Sequence, residues 1–560
     1  MVTKEKTTKT QSKSKANKEK SMPIEKRKTR EVVKVTPRPV VKKQSKPLVK
    51  VEDKPLVKKK AMPIKKKQDL EVAKTIDDGN KDKTKVLYVV SECQPFCATG
   101  GLADVAGSLP KYIQNNFKDY DFRVVMPMYS DIKEKYKKDF EYVGNINVPV
   151  SWRNVYCGIF KYVLNNVTYY FLDNEYYFKR SGIYGYYDDG ERFAFVSRAV
   201  LEILSTINFN PNIIHCNDWQ TALVPVYLKT IYANNPAYQK IKTIFTLHNT
   251  EYQGRFGMQN LKEIFDIDKQ FSSIVEFDKD INLVKGAVCC CDKFTTVSPS
   301  YAKEILSPEH SNGLEEIFKQ NEYKTIGILN AIDYDFYSPK TDKTLAKNYD
   351  VKTFSKRKEN KLEFQKEIGL NVDENAPMLS LVTRMARHKG LDLIRQGIES
   401  VLANSDVQLV AVGAGDKEYE DFFKYLEGKY SGRVRVLLGY SNELGRKAYA
   451  ASDIFLMPSK SEPCGISQMV ASRYGAVPIV RETGGLKDSI KDFGCEGGGN
   501  GYTFWGYNTN DFIYSVNRAI NDFRDKTTWQ QKVKTCMSQD FSWANSAKSY
   551  VEIYNALANN

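Results

Sequence analysis

The run Val86-Leu87-Tyr88-Val89-Val90 and, after the loop 91–98, the stretch Thr99-Gly100-Gly101-Leu102-Ala103-Asp104-Val105 read as a strand, a glycine turn and the start of a helix whose apolar period reaches Leu109. A helix start presents unpaired N–H groups and partial positive charge, and paired glycines let a phosphate or a sugar ring approach the backbone. Thr99, Gly100, Gly101 and Asp104 are therefore candidates for a nucleotide or sugar site. An ordinary tight βα turn with a capping acid would carry the same residues, so two glycines alone do not decide.

Outward from this unit, short apolar runs alternate with amphipathic stretches, as in βαβ units. One set of strands falls at 86–90, 122–127, 213–216, 243–247 and 293–297, and a second at 379–383, 407–412, 434–438, 454–457 and 477–480. The pattern predicts an α/β protein with two doubly wound, Rossmann-like domains, at 85–340 and 341–539, joined by a polar linker near 338–350. Open α/β sheets bind ligands beyond their strand ends, so two such sites facing each other make a cleft. Residues 540–560 read as a C-terminal helix with Ala547, Tyr550, Val551 and Tyr554 on one stripe, expected to pack across both domains.

At 560 residues, 41% hydrophobic and 12% aromatic, the chain has ample material for two cores. Its formal charge of +16 suggests nucleic-acid binding until it is located. Residues 1–84 hold 27 basic and 11 acidic side chains, which leaves 57 of each for the rest. A charge-balanced body argues against a nucleic-acid-binding fold. The Lys-rich arm, with its near-repeats Met22-Pro23-Ile24 and Met62-Pro63-Ile64, is expected to be disordered. It serves either as a solubilising arm or as a contact to an anionic surface such as membrane or RNA.

The ten cysteines, including Cys289-Cys290-Cys291, have neither disulfide-framework nor zinc spacing and read as buried thiols in a reducing compartment. No apolar stretch suits a transmembrane span, and no apolar leader suits secretion. The expected location is cytoplasmic. A plastid leader fits less well, because such segments favour Arg and Ser and avoid acids.

Two further loops follow strands of the second set. In Thr383-Arg384-Met385-Ala386-Arg387-His388-Lys389-Gly390-Leu391, Arg384 supplies a planar fork and Lys389 a point charge, a pair suited to a leaving diphosphate. In Pro458-Ser459-Lys460-Ser461-Glu462-Pro463-Cys464-Gly465-Ile466, Glu462 can grip sugar or ribose hydroxyls, and the helix start near Cys464 and Gly465 can face phosphate. A solvated charged loop and a capping acid are the structural alternatives.

Together with Leu247-His248-Asn249-Thr250, Asn217-Asp218-Trp219-Gln220 and Asn330-Ala331-Ile332-Asp333, these loops resemble the bacterial glycogen synthases and plant starch synthases, over about residues 85–554. The resemblance implies a GT-B fold and a retaining transfer of glucose from a nucleotide-sugar, usually ADP-glucose, to the non-reducing 4-OH of an α-1,4-glucan, with no metal or other cofactor. It implies that Arg384 and Lys389 hold the diphosphate and that Glu462 contacts the donor glucose. By the same likeness His248 lies near the 6-OH, Asn330 helps place the sugar, Tyr440 stacks on the base and Asp218 stands on the acceptor side. No carboxylate stands out beneath the anomeric carbon, which favours attack from the face that the diphosphate leaves.

The main departure is Ala98, where the family commonly has Lys two residues before the glycine pair. It leaves UDP-glucose open as the donor. A catalytically weak glucan-binding or scaffold protein is the remaining alternative, and retention of Arg384, Lys389, Glu462 and His248 argues against it. Smaller departures are Gln220 and Ala331. Asn174-Glu175-Tyr176-Tyr177-Phe178 also fits the family and is expected to line the acceptor groove.

Overall fold

The computed structural model describes residues 83–439 and 441–559. The readings placed on the basic arm up to residue 82, and on Tyr440, lie outside the described residues. Strand β1 (Thr84–Val89) carries most of the apolar run 86–90, whose residues are at most 1% exposed, as befits a strand covered on both faces. The chain continues through β2 (Tyr120–Pro127), β3 (Glu141–Val150), β4 (Arg153–Leu164), β5 (Val167–Asp173), β6 (Ile213–Asn217) and β7 (Lys242–Leu247). A small antiparallel sheet of β8 (Arg255–Gly257), β9 (Glu276–Phe277) and β10 (Asp280–Asn282) follows, and then β11 (Lys293–Thr296) and β12 (Thr325–Gly327).

The first sheet has the order β12-β11-β7-β6-β1-β2-β5-β4-β3. All its pairs are parallel except those of β4, which runs antiparallel to both neighbours. The second sheet is parallel throughout: β13 (Met378–Val382), β14 (Gln408–Gly413), β15 (Val434–Leu438), β16 (Ile454–Met457), β17 (Val477–Arg481) and β18 (Tyr502–Phe504), in the order β15-β14-β13-β16-β17-β18.

These orders create two switch points, between β1 and β6 and between β13 and β16, where successive connections leave in opposite directions and open a crevice. The glycine pair follows β1, Asp218 follows β6 and His248 follows β7. The loops at 383–390 and 458–466 follow β13 and β16.

The stretch 338–350, read as a linker, is tied down. Asp342 accepts from Arg446 at 2.8 Å and from Tyr474 at 2.7 Å, and Tyr349 donates to the Tyr474 carbonyl at 2.7 Å. The last helix, Trp543–Ala558, packs on the first sheet: Tyr554 meets His215 Nδ1 at 2.8 Å and Asn555 accepts from Tyr120 at 2.6 Å. Its predicted stripe, Ala547, Tyr550, Val551 and Tyr554, is buried. All ten cysteines are free thiols, and only Cys289 and Cys495 are exposed. Among the described residues no helix is long and apolar enough to cross a membrane.

Candidate active site

The helix Gly101–Asn116 begins at an extended Gly100, with no side chain capping its first amides. Thr99, Gly100 and Gly101 are exposed, and a side chain at Gly100 would meet nothing within 4 Å. The loop is held from beneath by Glu92, whose carboxylate accepts from the Thr99 amide and from Thr99 Oγ1 at 2.9 Å. Burial raises Glu92 to about 7, against the bonds from Thr99 and Gly100 and the charge of Arg384, which lower it. Asp104, in the first helical turn, is likewise pushed up to about 7 by burial and by the charge of Glu92. Tyr337 donates to it at 3.5 Å.

Asp218 has φ 56°, a left-handed value costly for an L residue and held here by its bonds. Its amide donates to the Thr246 carbonyl at 2.9 Å, and its carboxylate accepts from the His248 amide at 2.7 Å. It too is raised to about 7, by burial and by Glu92. Asn217 fixes the His248 tautomer. The Asn217 amide group donates to the Val89 carbonyl at 3.2 Å, so its oxygen is the acceptor for Tyr88 and for His248 Nε2, each at 3.1 Å. His248 therefore carries its proton on Nε2, and burial lowers its pKa to about 3, so the ring is neutral.

On the second sheet Lys389 Nζ lies 2.8 Å from Glu462 Oε2, which also accepts from Ser459 at 3.0 Å. Glycines bring these loops together. Gly390, at φ 73°, starts the helix Leu391–Asn404 so close to the next loop that an added Cβ would lie 2.0 Å from the Pro458 carbonyl oxygen. The Lys460 amide donates to the His388 carbonyl at 2.9 Å. His388 itself is held below the usual histidine range by burial and by Lys389 beside it. Gly465, at φ 72°, precedes the helix Ser467–Tyr474, and burial pushes the Cys464 thiol up. Asn330 is 4% exposed, and its side-chain oxygen is buried without a partner.

The two rims meet. A methyl group on Gly101 would lie 3.5 Å from Ile466 Cδ1, and the charge of Arg384 reaches Glu92. Ser298 donates to the Pro463 carbonyl at 2.6 Å, and Ser300 donates to Asp488 through its amide and its hydroxyl, each at 2.7 Å. Thus Thr99, Gly100, Gly101, Asp104, Asp218 and His248 share one rim, and Arg384, Lys389, Glu462, Cys464 and Gly465 the other. Among the described residues no group of three or more His, Cys, Asp or Glu is placed to hold a metal ion.

Sequence reasoning missed Glu92, Asn217, Glu304 and the turn Thr483-Gly484-Gly485-Leu486. The signal for the turn was present: it repeats Thr99-Gly100-Gly101-Leu102 and likewise follows a strand, β17. Gly485 donates to the Glu462 carbonyl at 3.2 Å, and Gly484 donates to Glu304 across the interface at 2.8 Å. Glu304 and Glu92 have no local signature, since each is defined by a partner outside its own turn.

Residues 85–320 match the family model of the starch synthase catalytic domain, and residues 363–535 that of glycosyl transferases group 1. The glycogen synthase of Clostridium botulinum (strain Eklund 17B / Type B) is 47% identical over 478 residues, which is 85% of this chain and 99% of the relative. That of Clostridium beijerinckii is 45% identical over 477 residues, 84% and 99% of the two chains. Among solved structures, the catalytic domain of starch synthase IV from Arabidopsis thaliana, bound to ADP and acarbose, is 33% identical. It matches with a TM-score of 0.80, over 85% of this chain and all of that one. With a mostly parallel and a wholly parallel sheet, whose crevice loops meet, in a GT-B fold, and with relatives matched almost end to end, this chain belongs to the glycogen and starch synthase family of glycosyltransferases.

Proposed function

We propose that the protein transfers glucose, with retention, from ADP-glucose to the non-reducing 4-OH end of an α-1,4-glucan. The observation that carries this reading is the partly buried Lys389–Glu462 pair at 2.8 Å, on a rim whose Ile466 comes within 3.5 Å of a methyl group placed on Gly101 of the facing rim. Arg384 and Lys389 neutralise the diphosphate as its bond to the anomeric carbon breaks, and Glu462 holds the donor glucose. The acceptor oxygen bonds to that carbon from the face the diphosphate leaves, and its proton passes to the departing phosphate oxygen. A neutral His248 suits a hydrogen bond to a sugar hydroxyl better than a cation would, because a cation there would compete for the phosphate. The orphaned Asn330 oxygen offers a further acceptor to the same sugar. Tyr440 is assigned to the nucleobase, and Thr99, Gly100, Gly101, Asp104, Cys464 and Gly465 to the walls around the donor. Asp218 is assigned to the acceptor side. In domain terms, 85–340 supplies the acceptor side and 341–539 binds the nucleotide-sugar, while the last helix, expected to pack across both, returns to the first sheet.

ADP as the base-bearing leaving group is supported by the starch synthase IV relative, whose structure holds ADP. Incubation with glycogen and labelled ADP-glucose or UDP-glucose, side by side, tests the reading. Incorporation from ADP-glucose is expected, and incorporation from neither donor overturns it. Ala98 bears on donor affinity: an ammonium at this position adds a charge-assisted contact, so Ala98→Lys is expected to lower the KM for ADP-glucose roughly tenfold. An unchanged KM would mean that another cation already fills the place.

A further inference from the structure

We infer that Glu304, coupled to Asp488, is a positioning residue for the transfer, because it carries the first domain's hold on the turn 483–486 through to the backbone of Glu462. This inference rests on the reading above that Glu462 holds the donor glucose.

Two six-residue helices meet where the domains touch, Pro299–Glu304 after β11 and Gly484–Ser489 after β17. Helices that short leave most of their amides without internal partners. Each of these two borrows a carboxylate from the other. Glu304, the last residue of the first helix, accepts from the Gly484 amide at 2.8 Å and from the Thr483 hydroxyl at 3.4 Å. Asp488, on the second helix, accepts from the amide and the hydroxyl of Ser300, each at 2.7 Å. Thr483 is 1% exposed and makes no side-chain cap to its own helix, so that helix start is closed by the other domain's carboxylate. All of these bonds are charge-assisted, lie at positive helix starts and exist only while the two domains are together.

The grip passes from this exchange to the candidate catalytic loop. The Gly485 amide donates to the carbonyls of Glu462 and Pro463 at 3.2 and 3.1 Å. Added Cβ atoms on Gly484 and Gly485 would lie 2.2 and 2.3 Å from the carbonyl oxygens of Glu462 and Cys464, so the turn and the Glu462 loop are packed backbone to backbone and shift as one. Ser298, which accepts from the Tyr301 amide at 3.2 Å and so caps the first helix, also donates to the Pro463 carbonyl at 2.6 Å. The first domain thus holds the loop directly at Ser298 and, through the turn, at Glu304. A sugar-binding carboxylate displaced by about 1 Å loses on the order of 10²-fold in rate.

The test uses Glu304→Ala, Glu304→Gln, Asp488→Ala and the double alanine variant in the full chain. It reads kcat on glycogen with the donor that labels it, and the inhibition constant of the matching nucleoside diphosphate. Glu304→Ala is expected to lower kcat about 30-fold, with the inhibition constant kept within about a factor of two because Arg384 and Lys389 are untouched. Glu304→Gln keeps an oxygen for the Gly484 amide and is expected to stay within about fivefold of the parent. The double variant is expected to be little slower than Glu304→Ala alone, since either loss releases the same two helices. Parent-like kcat for Glu304→Ala, or a Gln variant as slow as the Ala variant, overturns the positioning role. So does an inhibition constant that rises as far as kcat falls, or a double variant whose loss is the full product of the single losses. A parent that transfers glucose from neither ADP-glucose nor UDP-glucose overturns the function proposed above, and this role with it.

Discussion

Glu462→Ala is expected to lower kcat by about 10²–10³-fold while the fold survives and ADP binds at least as tightly as before. Glu462 is 7% exposed, and Oε2 takes both the Lys389 ammonium at 2.8 Å and the Ser459 hydroxyl at 3.0 Å. Removing it deprives the donor sugar of its carboxylate and frees Lys389, and a free cation beside a diphosphate favours binding. Lys389→Ala should therefore differ in a telling way: kcat falls as steeply, but the affinity for ADP falls too. The contrast separates a residue that holds the sugar from one that holds the leaving group. Near-parent kcat for both variants, measured at saturating donor and glycogen, would remove both residues from the mechanism.

Gly390→Ala is expected to be nearly as damaging to turnover and far more damaging to stability. Its φ of 73° is unfavourable for any L side chain, and the added carbon would meet the Pro458 carbonyl oxygen at 2.0 Å, a contact with backbone that no rotamer relieves. The loops carrying Lys389 and Glu462 must then separate. A stability loss of about 2–4 kcal/mol is expected, together with a fall in kcat of about 10²-fold from misplacement. Urea unfolding and steady-state kinetics check the two parts. A variant that matches the parent in both would show that the two loops need not touch.

How far the chain could be read in advance depended on where each signal is stored. Strands such as 86–90, 454–457 and 477–480 are short apolar runs bounded by turn residues, and each lies at an observed strand, because burial on both faces writes an uninterrupted pattern. Strands β3, β4 and β5 escaped notice. β3 lies at the sheet edge with a mixed sequence, Glu-Tyr-Val-Gly-Asn-Ile-Asn-Val-Pro-Val, and its register shifts between Tyr142 and Gly144. The short β12 and β18, and the small sheet of β8 to β10, are too brief to leave a period.

At the candidate site, the glycine turns and the basic loop were legible because turn chemistry is local. Glu92 was not, since it matters only through Thr99 and through Arg384 on the other sheet. The left-handed backbone of Asp218 was equally hidden, because the bonds from Thr246 and His248 that hold it come from another strand.

The most direct test of the account is the configuration of the newly formed bond. The protein would be incubated with glycogen and ADP-glucose labelled with carbon-13 at the anomeric position, and the product examined by NMR before and after digestion with an α-1,4-specific glucosidase. The account predicts label in an α-1,4 linkage at non-reducing ends, all of it released by the enzyme. Label in a β linkage would contradict same-face attack, and absence of label in glycogen would contradict the transfer itself.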